Sequence, residues 1–513
     1  MRTEFFSILF TPRWQVKVLN EKMPDFFPDL HLDQVIETIT SKKTEYNLKP
    51  FFYTFPIDME TIRYRQQVMK DLENPALFKQ VELFVRGMLS VRKQLIQVEK
   101  INYPYHKERM FLDVVILYCE TISAFANALM RLSLNAEGLI AFSRYLTNYI
   151  QSAYFTTLFA EAKSIIQELL SIKYNLYIKD LRIHVLPSQS EADYTLEVLN
   201  TFAKFQQGKV KDYKNVFTRS SQISHVEAKI LEGLATLNPH IFNRLIDYYA
   251  KNSQFQDRTI TTFEHEIQFY LSYLEFIDHI KRSGLQFFYP LLSDTKEIEV
   301  KEGFDIALAH KGVEEKTTIV TNDFCLKGNE RLLVVTGPNQ GGKTTFARMF
   351  GQMHYLAGIG CPVPGVKAQL FLCNHIFTHF EKKEDIQNLR SKLEDDLVRL
   401  HRLLQQCSSG DIVILNEILT SATLHDSIFL SKKIMEKIID LDVIGVWVTF
   451  IDELASYSEK TVSMAATIFP ENPALRTYKI VRMPANGLAY ALSIAEKYQL
   501  TYNMLKKRIG TKV

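Results

Sequence analysis

Residues 332–344 read Leu-Leu-Val-Val-Thr-Gly-Pro-Asn-Gln-Gly-Gly-Lys-Thr, and residues 345–358 continue as Thr-Phe-Ala-Arg-Met-Phe-Gly-Gln-Met-His-Tyr-Leu-Ala-Gly. The first four residues predict a short apolar strand, the glycine-rich part predicts a turn, and the remainder has a helical pattern. The turn matches the pattern G-x-x-x-x-G-K-[ST] in full, and this pattern is typical of loops that bind nucleotide phosphates. We therefore predict a nucleoside-triphosphate site at this turn.

Each residue type in the turn suits the binding of phosphates and a metal ion. Glycines let backbone N–H groups face the phosphates, and the following helix places its positive end there. Lys343 would neutralise the terminal phosphates, and the Thr344 hydroxyl is a ligand for Mg²⁺, so a nucleoside triphosphate and Mg²⁺ are the predicted ligands. A chance glycine-rich turn is the alternative, and the flanking strand and helix argue against it. The predicted nucleotide-binding residues are Gly337, Pro338, Asn339, Gln340, Gly341, Gly342, Lys343, Thr344 and Thr345.

A second apolar strand, Ile412–Leu415, is followed by Asn416 and Glu417. A phosphate-binding loop needs polar side chains at the end of a neighbouring strand to hold magnesium and orient water. We predict Asn416 as a metal ligand, with Thr344, and Glu417 as the catalytic general base. Because an amide brings no charge, we expect weak metal binding and slow hydrolysis. With Val446–Val448 as a third strand, the region from 297 predicts an α/β domain with a largely parallel, buried sheet.

The chain before residue 300 has a helical pattern. Apolar residues repeat at helical spacing over Leu77–Leu170 and Phe263–Ile277, which predicts long helices packed in bundles. Tyr174–Leu186 alternates apolar and polar residues and predicts one or two strands. A basic run at 204–219 is either a solvated surface or a nucleic-acid contact. The predicted domains are an N-terminal segment (1–60), a helical core and lever region (61–296) with a small strand-containing insertion near 174–220, and the α/β domain (297–513).

Composition sets limits on the class of protein. The chain has 513 residues, 46% of them hydrophobic and 23% charged, which argues against general disorder. Its net charge of +3 does not by itself indicate a nucleic-acid binder. Five cysteines without CxxC spacing fit a reducing compartment rather than a disulfide framework or a zinc site. Without a signal-peptide pattern or a run of about 18 apolar residues, we expect a cytoplasmic protein that does not enter a membrane.

The motif also resembles a known family. GPNQGGKTT at 337–345, followed some seventy residues later by a strand that ends Asn-Glu-Ile at 416–418, is similar to the ATPase domain of MutS-type mismatch-repair proteins. The Pro338-Asn339 pair makes this more specific than a bare phosphate-binding loop. Three further segments keep the family's order, and a short element near the start of the helical region resembles the family's R-Q-x-x-V element. These segments are 357–364, 419–426, 487–489 and 62–68.

The resemblance has structural and functional implications. It implies an ABC-type P-loop ATPase that forms a homodimer, in which Ser391 completes the partner's nucleotide site in trans. It implies DNA as a partner and a role in repair or recombination, through ATP-dependent closure of a clamp. An ordinary helix N-cap is the alternative role for Ser391. The N-terminal mismatch-reading domain is expected to be absent. Phe450 stands where these ATPases often present a histidine; we expect it to have a core or packing role and turnover to be slow.

Two other functions remain open. The protein could be an ATP-gated structural or scaffold protein without mismatch recognition, since no mismatch-reading residue was found and the net charge is only +3. It could also be a metabolic P-loop kinase, which requires a dedicated pocket for the acceptor substrate. Salt-dependent DNA binding would separate the first alternative from a DNA clamp.

Overall fold

The computed structural model describes residues 5–11, 19–55, 58–180, 182–188, 197–198, 201–202, 223–381, 392–469, 472–485 and 499–510. The chain divides into two compact units. The helical unit comprises Met1–Phe5 and Asp71–Glu264, and the α/β unit comprises Phe6–Lys70 and His265–Val513. The predicted domain ranges stay a prediction; the compact units divide the chain at other places, because residues 6–70 belong to the α/β unit.

The helices begin and end as follows: α1 (Leu32–Thr40), α2 (Lys49–Tyr53), α3 (Met59–Leu72), α4 (Pro75–Glu99), α5 (Pro104–Arg131), α6 (Glu137–Ile150), α7 (Ala153–Ser171), α8 (His225–Leu237), α9 (Pro239–Asn252), α10 (Arg258–Lys281), α11 (Ile306–Glu315), α12 (Lys343–Gly358), α13 (Lys392–Gln406), α14 (Leu424–Asp440) and α15 (Tyr502–Gly510). Short 3₁₀ turns lie at Ser41–Tyr46 and Asp452–Ser456. The predicted interruptions of the helical pattern, near 102–104 and 134–136, coincide with the starts of α5 and α6.

The strands are β1 (Tyr174–Lys179), β2 (Arg182–Pro187), β3 (Phe287–Phe288), β4 (Leu291–Ser293), β5 (Ile298–Gly303), β6 (Asn322–Leu326), β7 (Leu332–Thr336), β8 (Val363–Pro364), β9 (Lys367–Phe371), β10 (Ile376–Phe380), β11 (Ile412–Asn416), β12 (Ile444–Val448), β13 (Thr461–Phe469) and β14 (Asn472–Arg482). β1 and β2 form an antiparallel hairpin, as the alternation at 174–186 predicts. The basic run at 204–219 lies outside the described residues.

The helical unit has an aromatic core. The Phe142 and Phe263 rings stack with their centroids 3.5 Å apart, and the Phe84 and Phe125 rings stack at 4.4 Å. In the part of the chain that is described, α5 is the helix long and apolar enough to cross a membrane, and half of its most apolar stretch is buried inside the protein. The core helix of a soluble protein passes the same test. Since Phe111, Tyr118 and Ile122 of α5 are buried, this helix belongs to the core of the helical unit.

The α/β unit is built on a six-stranded sheet in the order β10-β11-β12-β7-β13-β14. All neighbouring pairs are parallel except β13 and β14. Every residue of β7, β11 and β12 is buried, as expected for parallel strands covered on both faces. The predicted largely parallel sheet is therefore present. The sequence did not predict a second, four-stranded sheet in the order β4-β9-β5-β6.

The helix that follows the glycine-rich turn, α12, is buried along most of its length. Residues 19–55 pack against it. Two glycines permit the close approach: a Cβ at Gly351 would lie 2.6 Å from Leu30, and a Cβ at Gly358 would lie 2.1 Å from Phe55. The Tyr355 hydroxyl donates a hydrogen bond of 2.7 Å to the Phe52 carbonyl. Residues 19–55 of the N-terminal segment are thus an integral part of the α/β unit.

The burial of α12 makes the stability of the protein depend on pH. His354 lies within α12, its Nδ1 is 2.8 Å from the Phe350 carbonyl, and burial lowers the pKa of His354 to about 4. Its stabilising contribution is complete above the unfolded-state pKa of about 6.5 and is lost as the pH falls toward 4. We expect the free energy of unfolding to fall by about 2 kcal/mol more in the wild type than in His354→Leu between pH 7.5 and pH 5.

Urea unfolding at the two pH values measures this difference. The matched control is His425→Leu, because the His425 side chain is 95% exposed. This variant should follow the wild type at both pH values. If His354→Leu shows the same loss on acidification as the wild type, His354 is not the titrating group.

Candidate functional site

The turn between β7 and α12 has the backbone conformation that its glycines allow. Gly337 and Gly342 have φ angles of 120° and 91°, in the region that favours glycine. A Cβ at Gly337 would lie 3.0 Å from Ala466, so space is also limited there. Gly342 is the N-cap of α12, and no side-chain hydrogen bond caps this helix end. The first N–H groups of α12 and its positive end therefore face the turn.

Lys343 lies at the centre of this turn. Its side chain is 3% exposed, and its ammonium donates hydrogen bonds to the carbonyls of Gly337 (3.0 Å) and Pro338 (3.2 Å). The ammonium also lies 3.7 Å from Glu417 Oε1 and 4.4 Å from the centroid of the Phe450 ring. Burial lowers the pKa of Lys343, while the charge of Glu417 opposes this shift. A bound anion in the turn would stabilise the charged form of Lys343, which burial disfavours.

Thr344 and Asn416 meet as the sequence predicts. The Thr344 hydroxyl donates a hydrogen bond of 2.9 Å to Asn416 Oδ1, at the buried end of β11. Both are neutral oxygen donors, which suit a hard cation such as Mg²⁺ but add no negative charge to hold it. Within the described ranges, no three His, Cys, Asp or Glu side chains group together as a metal site. Thr344 and Asn416 are accordingly the groups at this turn that fit Mg²⁺.

Glu417 follows β11 directly. It has a φ of 51°, and its N–H donates to the Val448 carbonyl at 2.9 Å. These features aim the carboxylate at Lys343 and leave its side chain 24% exposed. Of the core or packing role predicted for Phe450, the core role is wrong: its side chain is 51% exposed, and its ring packs over the Lys343 ammonium at the surface.

A cavity of about 490 Å³ opens at the turn. Gln340–Thr345 and Glu417 line one part of it, and residues that the sequence did not single out line the rest, which we call the second wall. Hydroxyl groups, aliphatic side chains, one amide and one aromatic ring make up this second wall, a combination suited to a flat, partly polar ligand group. Its residues are Leu308, Thr317, Thr318, Ile319, Val320, Asn322 and Tyr478. No local motif marks them, since Tyr478 lies on β14, far along the chain from the turn.

The structure brings most of the predicted residues together. Gln340–Thr345 and Glu417 line the cavity, and the carbonyls of Gly337 and Pro338 bind Lys343. The Asn339 carbonyl accepts a hydrogen bond of 3.3 Å from Arg476 Nε on β14. Ser391 and the segment at 487–489 lie outside the described residues, so their predicted roles stay predictions.

Comparison with known proteins connects these features to a family. The family named MutS domain V matches residues 333–508, and the family named MutS2 N-terminal domain matches residues 57–172. The resemblance to the MutS family is confirmed. The first match contains the turn, Asn416 and Glu417, and the second contains α3 to α7. Residues 6–56 of the α/β unit precede both matches.

Individual relatives give the same result. The chain is 27% identical over 185 residues to the MutS protein homolog him-14 of Caenorhabditis elegans and 28% identical over 216 residues to the DNA mismatch repair protein MutS of Lawsonia intracellularis. It is 27% identical over 190 residues to the endonuclease MutS2 of Thermus thermophilus. These alignments cover 36%, 40% and 37% of this chain and 22%, 24% and 25% of the respective relatives. The chain thus spans about a quarter of the length of these MutS relatives.

Proposed function

We propose that this MutS-related protein binds ATP with Mg²⁺ at the cavity beside α12 and hydrolyses it slowly. We propose further that ATP binding controls a DNA-binding clamp in DNA repair or recombination. The observation that carries the proposal is the buried Lys343 ammonium at the N-terminus of α12, inside a cavity of about 490 Å³.

The geometry of the turn supports phosphate binding. Lys343 is held by two carbonyl oxygens and one carboxylate, all of them weaker partners for an ammonium than a triphosphate. The uncapped start of α12 adds backbone N–H donors and a positive helix end. The second wall, which includes Ile319 and Tyr478, would hold the nucleoside.

Thr344 and Asn416 would hold the magnesium ion through their side-chain oxygens. When bound, Mg²⁺ neutralises charge on the phosphates. Since neither side chain is charged, we expect the protein to hold the ion less tightly than a site with a carboxylate would. Glu417, whose carboxylate water can reach, would take a proton from the attacking water. Phe450 offers no hydrogen bond to a phosphate or a water, which also favours slow turnover.

Action on DNA is the second part of the proposal. It is supported by the match to MutS domain V and by relatives that are named DNA mismatch repair proteins. In this scheme two chains bind each other through their α/β units, and Ser391 of each chain completes the nucleotide site of the other. ATP would close this dimer. α10 contains residues of both compact units and would transmit the conformational change to the helical unit.

Fluorescence anisotropy of labelled duplex, mismatched and branched DNA tests this part. We expect at least one of these DNAs to bind with an affinity that falls by about tenfold or more between 50 and 200 mM salt, since phosphate contacts release counterions. We also expect ATP to change that affinity. No binding at 50 mM salt, with or without ATP, would favour the scaffold alternative.

A pair of triple variants locates the contact. In the first, Lys209, Lys211 and Lys214 of the basic run become alanine. In the control, Lys22, Lys311 and Lys433 become alanine; their side chains are 83%, 68% and 60% exposed. If the basic run touches DNA, the first variant should reduce the salt dependence and the control should not.

A further inference from the structure

Gln352 joins three parts of the α/β unit through one buried amide. Its side chain is 0% exposed. Its Nε2 donates hydrogen bonds to the Leu30 carbonyl (2.8 Å) and to Asp305 Oδ1 (2.9 Å), and its Oε1 accepts one from the Ile306 N–H (2.9 Å). Since Gln352 lies in α12, the amide ties the helix of the phosphate-binding turn to the start of α11 and to the N-terminal segment.

Asp305 is the other half of this connection. Its Oδ1 caps α11 by accepting hydrogen bonds from the N–H groups of Ala307 (2.9 Å) and Leu308 (3.0 Å). Its Oδ2 lies 3.4 Å from Arg348 Nε. Arg348 and Gln352 are four residues apart, on one face of α12. Two side chains of α12 thus hold the same aspartate, which defines the direction in which α11 begins.

Two of the elements joined in this way carry the phosphate-binding wall and most of the second wall of the cavity. α12 begins within the phosphate-binding wall, Gln340–Thr345. α11 carries Leu308 in its first turn and leads directly into Thr317–Val320, so these segments supply five of the seven residues of the second wall; the other two, Asn322 and Tyr478, lie on β6 and β14. The Thr317 N–H donates to the Gly312 carbonyl at 2.9 Å, so Thr317 is fixed to the end of α11. A shift at Asp305 would therefore move Leu308 and Thr317–Val320, the α11 part of the second wall, relative to the phosphate-binding turn.

We propose that Gln352 and Asp305 are positioning residues that set the distance between the α11 part of the second wall (Leu308 and Thr317–Val320) and the phosphate-binding turn, and thereby determine how tightly the nucleoside part of ATP is held. This inference rests on the proposed function. Neither Gln352 nor Asp305 lines the cavity. We expect them to affect the binding of the nucleoside part of the ligand only, because the triphosphate part is bound by the turn itself.

Two ligands distinguish the contribution of the second wall from that of the turn. ATP would contact both, whereas inorganic tripolyphosphate would contact the turn alone. In Gln352→Leu we expect the Kd for ATP to rise by about tenfold, because the Ile306 N–H and the Leu30 carbonyl lose their partner. We expect the Kd for tripolyphosphate to change by less than about twofold. Equal effects on the two ligands, or no effect on either, would overturn the proposal.

Tyr355→Phe is the matched control. It removes a buried hydrogen bond between α12 and the Phe52 carbonyl but none to α11. It should lower the melting temperature and leave both Kd values unchanged. If Gln352→Leu does not fold, Asp305→Ser replaces it as the test variant, since serine keeps the N-cap of α11 but is too short to bind Gln352. In Asp305→Ser we again expect the Kd for ATP to rise and the Kd for tripolyphosphate to stay unchanged. Failure of the wild type to bind either ligand would instead refute the proposed function, and this inference with it.

Discussion

Lys343→Ala removes nucleotide binding: we expect the Kd for ATP to rise by about 100-fold or more. The ammonium is the one charged donor within the turn, and charge-assisted hydrogen bonds to a phosphate are among the strongest that a side chain makes. The melting temperature should not fall, because the variant also removes a buried charge whose pKa burial already lowers. Isothermal titration calorimetry with ATP and Mg²⁺ measures the Kd.

The control for this variant is Lys367→Ala. Lys367 also belongs to the α/β unit and also pairs with a glutamate, Glu299, but its side chain is 56% exposed. It should bind ATP as the wild type does. An unchanged Kd in Lys343→Ala would show that the turn does not bind the triphosphate.

Glu417→Gln separates binding from hydrolysis. A general base contributes about 10²–10⁴-fold to a rate, so we expect kcat for ATP hydrolysis to fall by about 100-fold or more. The Kd for ATP should stay within about threefold, because glutamine has the same shape and the phosphate-binding groups remain. Steady-state phosphate release gives kcat, and calorimetry gives the Kd.

Glu436→Gln is its control, since Glu436 pairs with Lys433 on the surface of the same unit. Turnover in this variant should equal that of the wild type. If kcat is also unchanged in Glu417→Gln, Glu417 is not the base. If the wild type binds ATP without measurable turnover, nucleotide binding alone operates the protein, and Asn416 and Phe450 are the first residues to replace.

The sequence predicted those parts of the fold that follow from local pattern. Buried parallel strands need continuous apolar runs, so β7, β11 and β12 were visible at Leu332, Ile412 and Val446. The turn was visible because its glycines adopt conformations that other residues rarely take. Thr344, Asn416 and Glu417 could be placed near each other because each follows or ends a strand of one sheet. The structure brings them together, although β11 is not the direct neighbour of β7, since β12 lies between them.

The remainder depends on contacts between distant residues. Tyr478 and Ile319 line the cavity, yet nothing in their neighbourhood distinguishes them from other residues of strands and loops. The N-terminal segment was predicted as a separate region, whereas it packs on α12. One signal was present: α12 has small or apolar residues on most of its faces, and Gly351 and Gly358 lie on it, which indicates a helix covered on several sides. Tertiary packing alone shows that Leu30 and Phe55 cover it.

A crystal structure of the protein with Mg²⁺ and a non-hydrolysable ATP analogue tests the central claim most directly. The analogue should bind with its triphosphate at Gly337–Thr345 and its Mg²⁺ at Thr344 and Asn416, and with its base against Ile319 and Tyr478. An analogue bound elsewhere, or none at saturating concentration with Lys343 still on the Gly337 and Pro338 carbonyls, would contradict the assignment of this cavity as a nucleotide site.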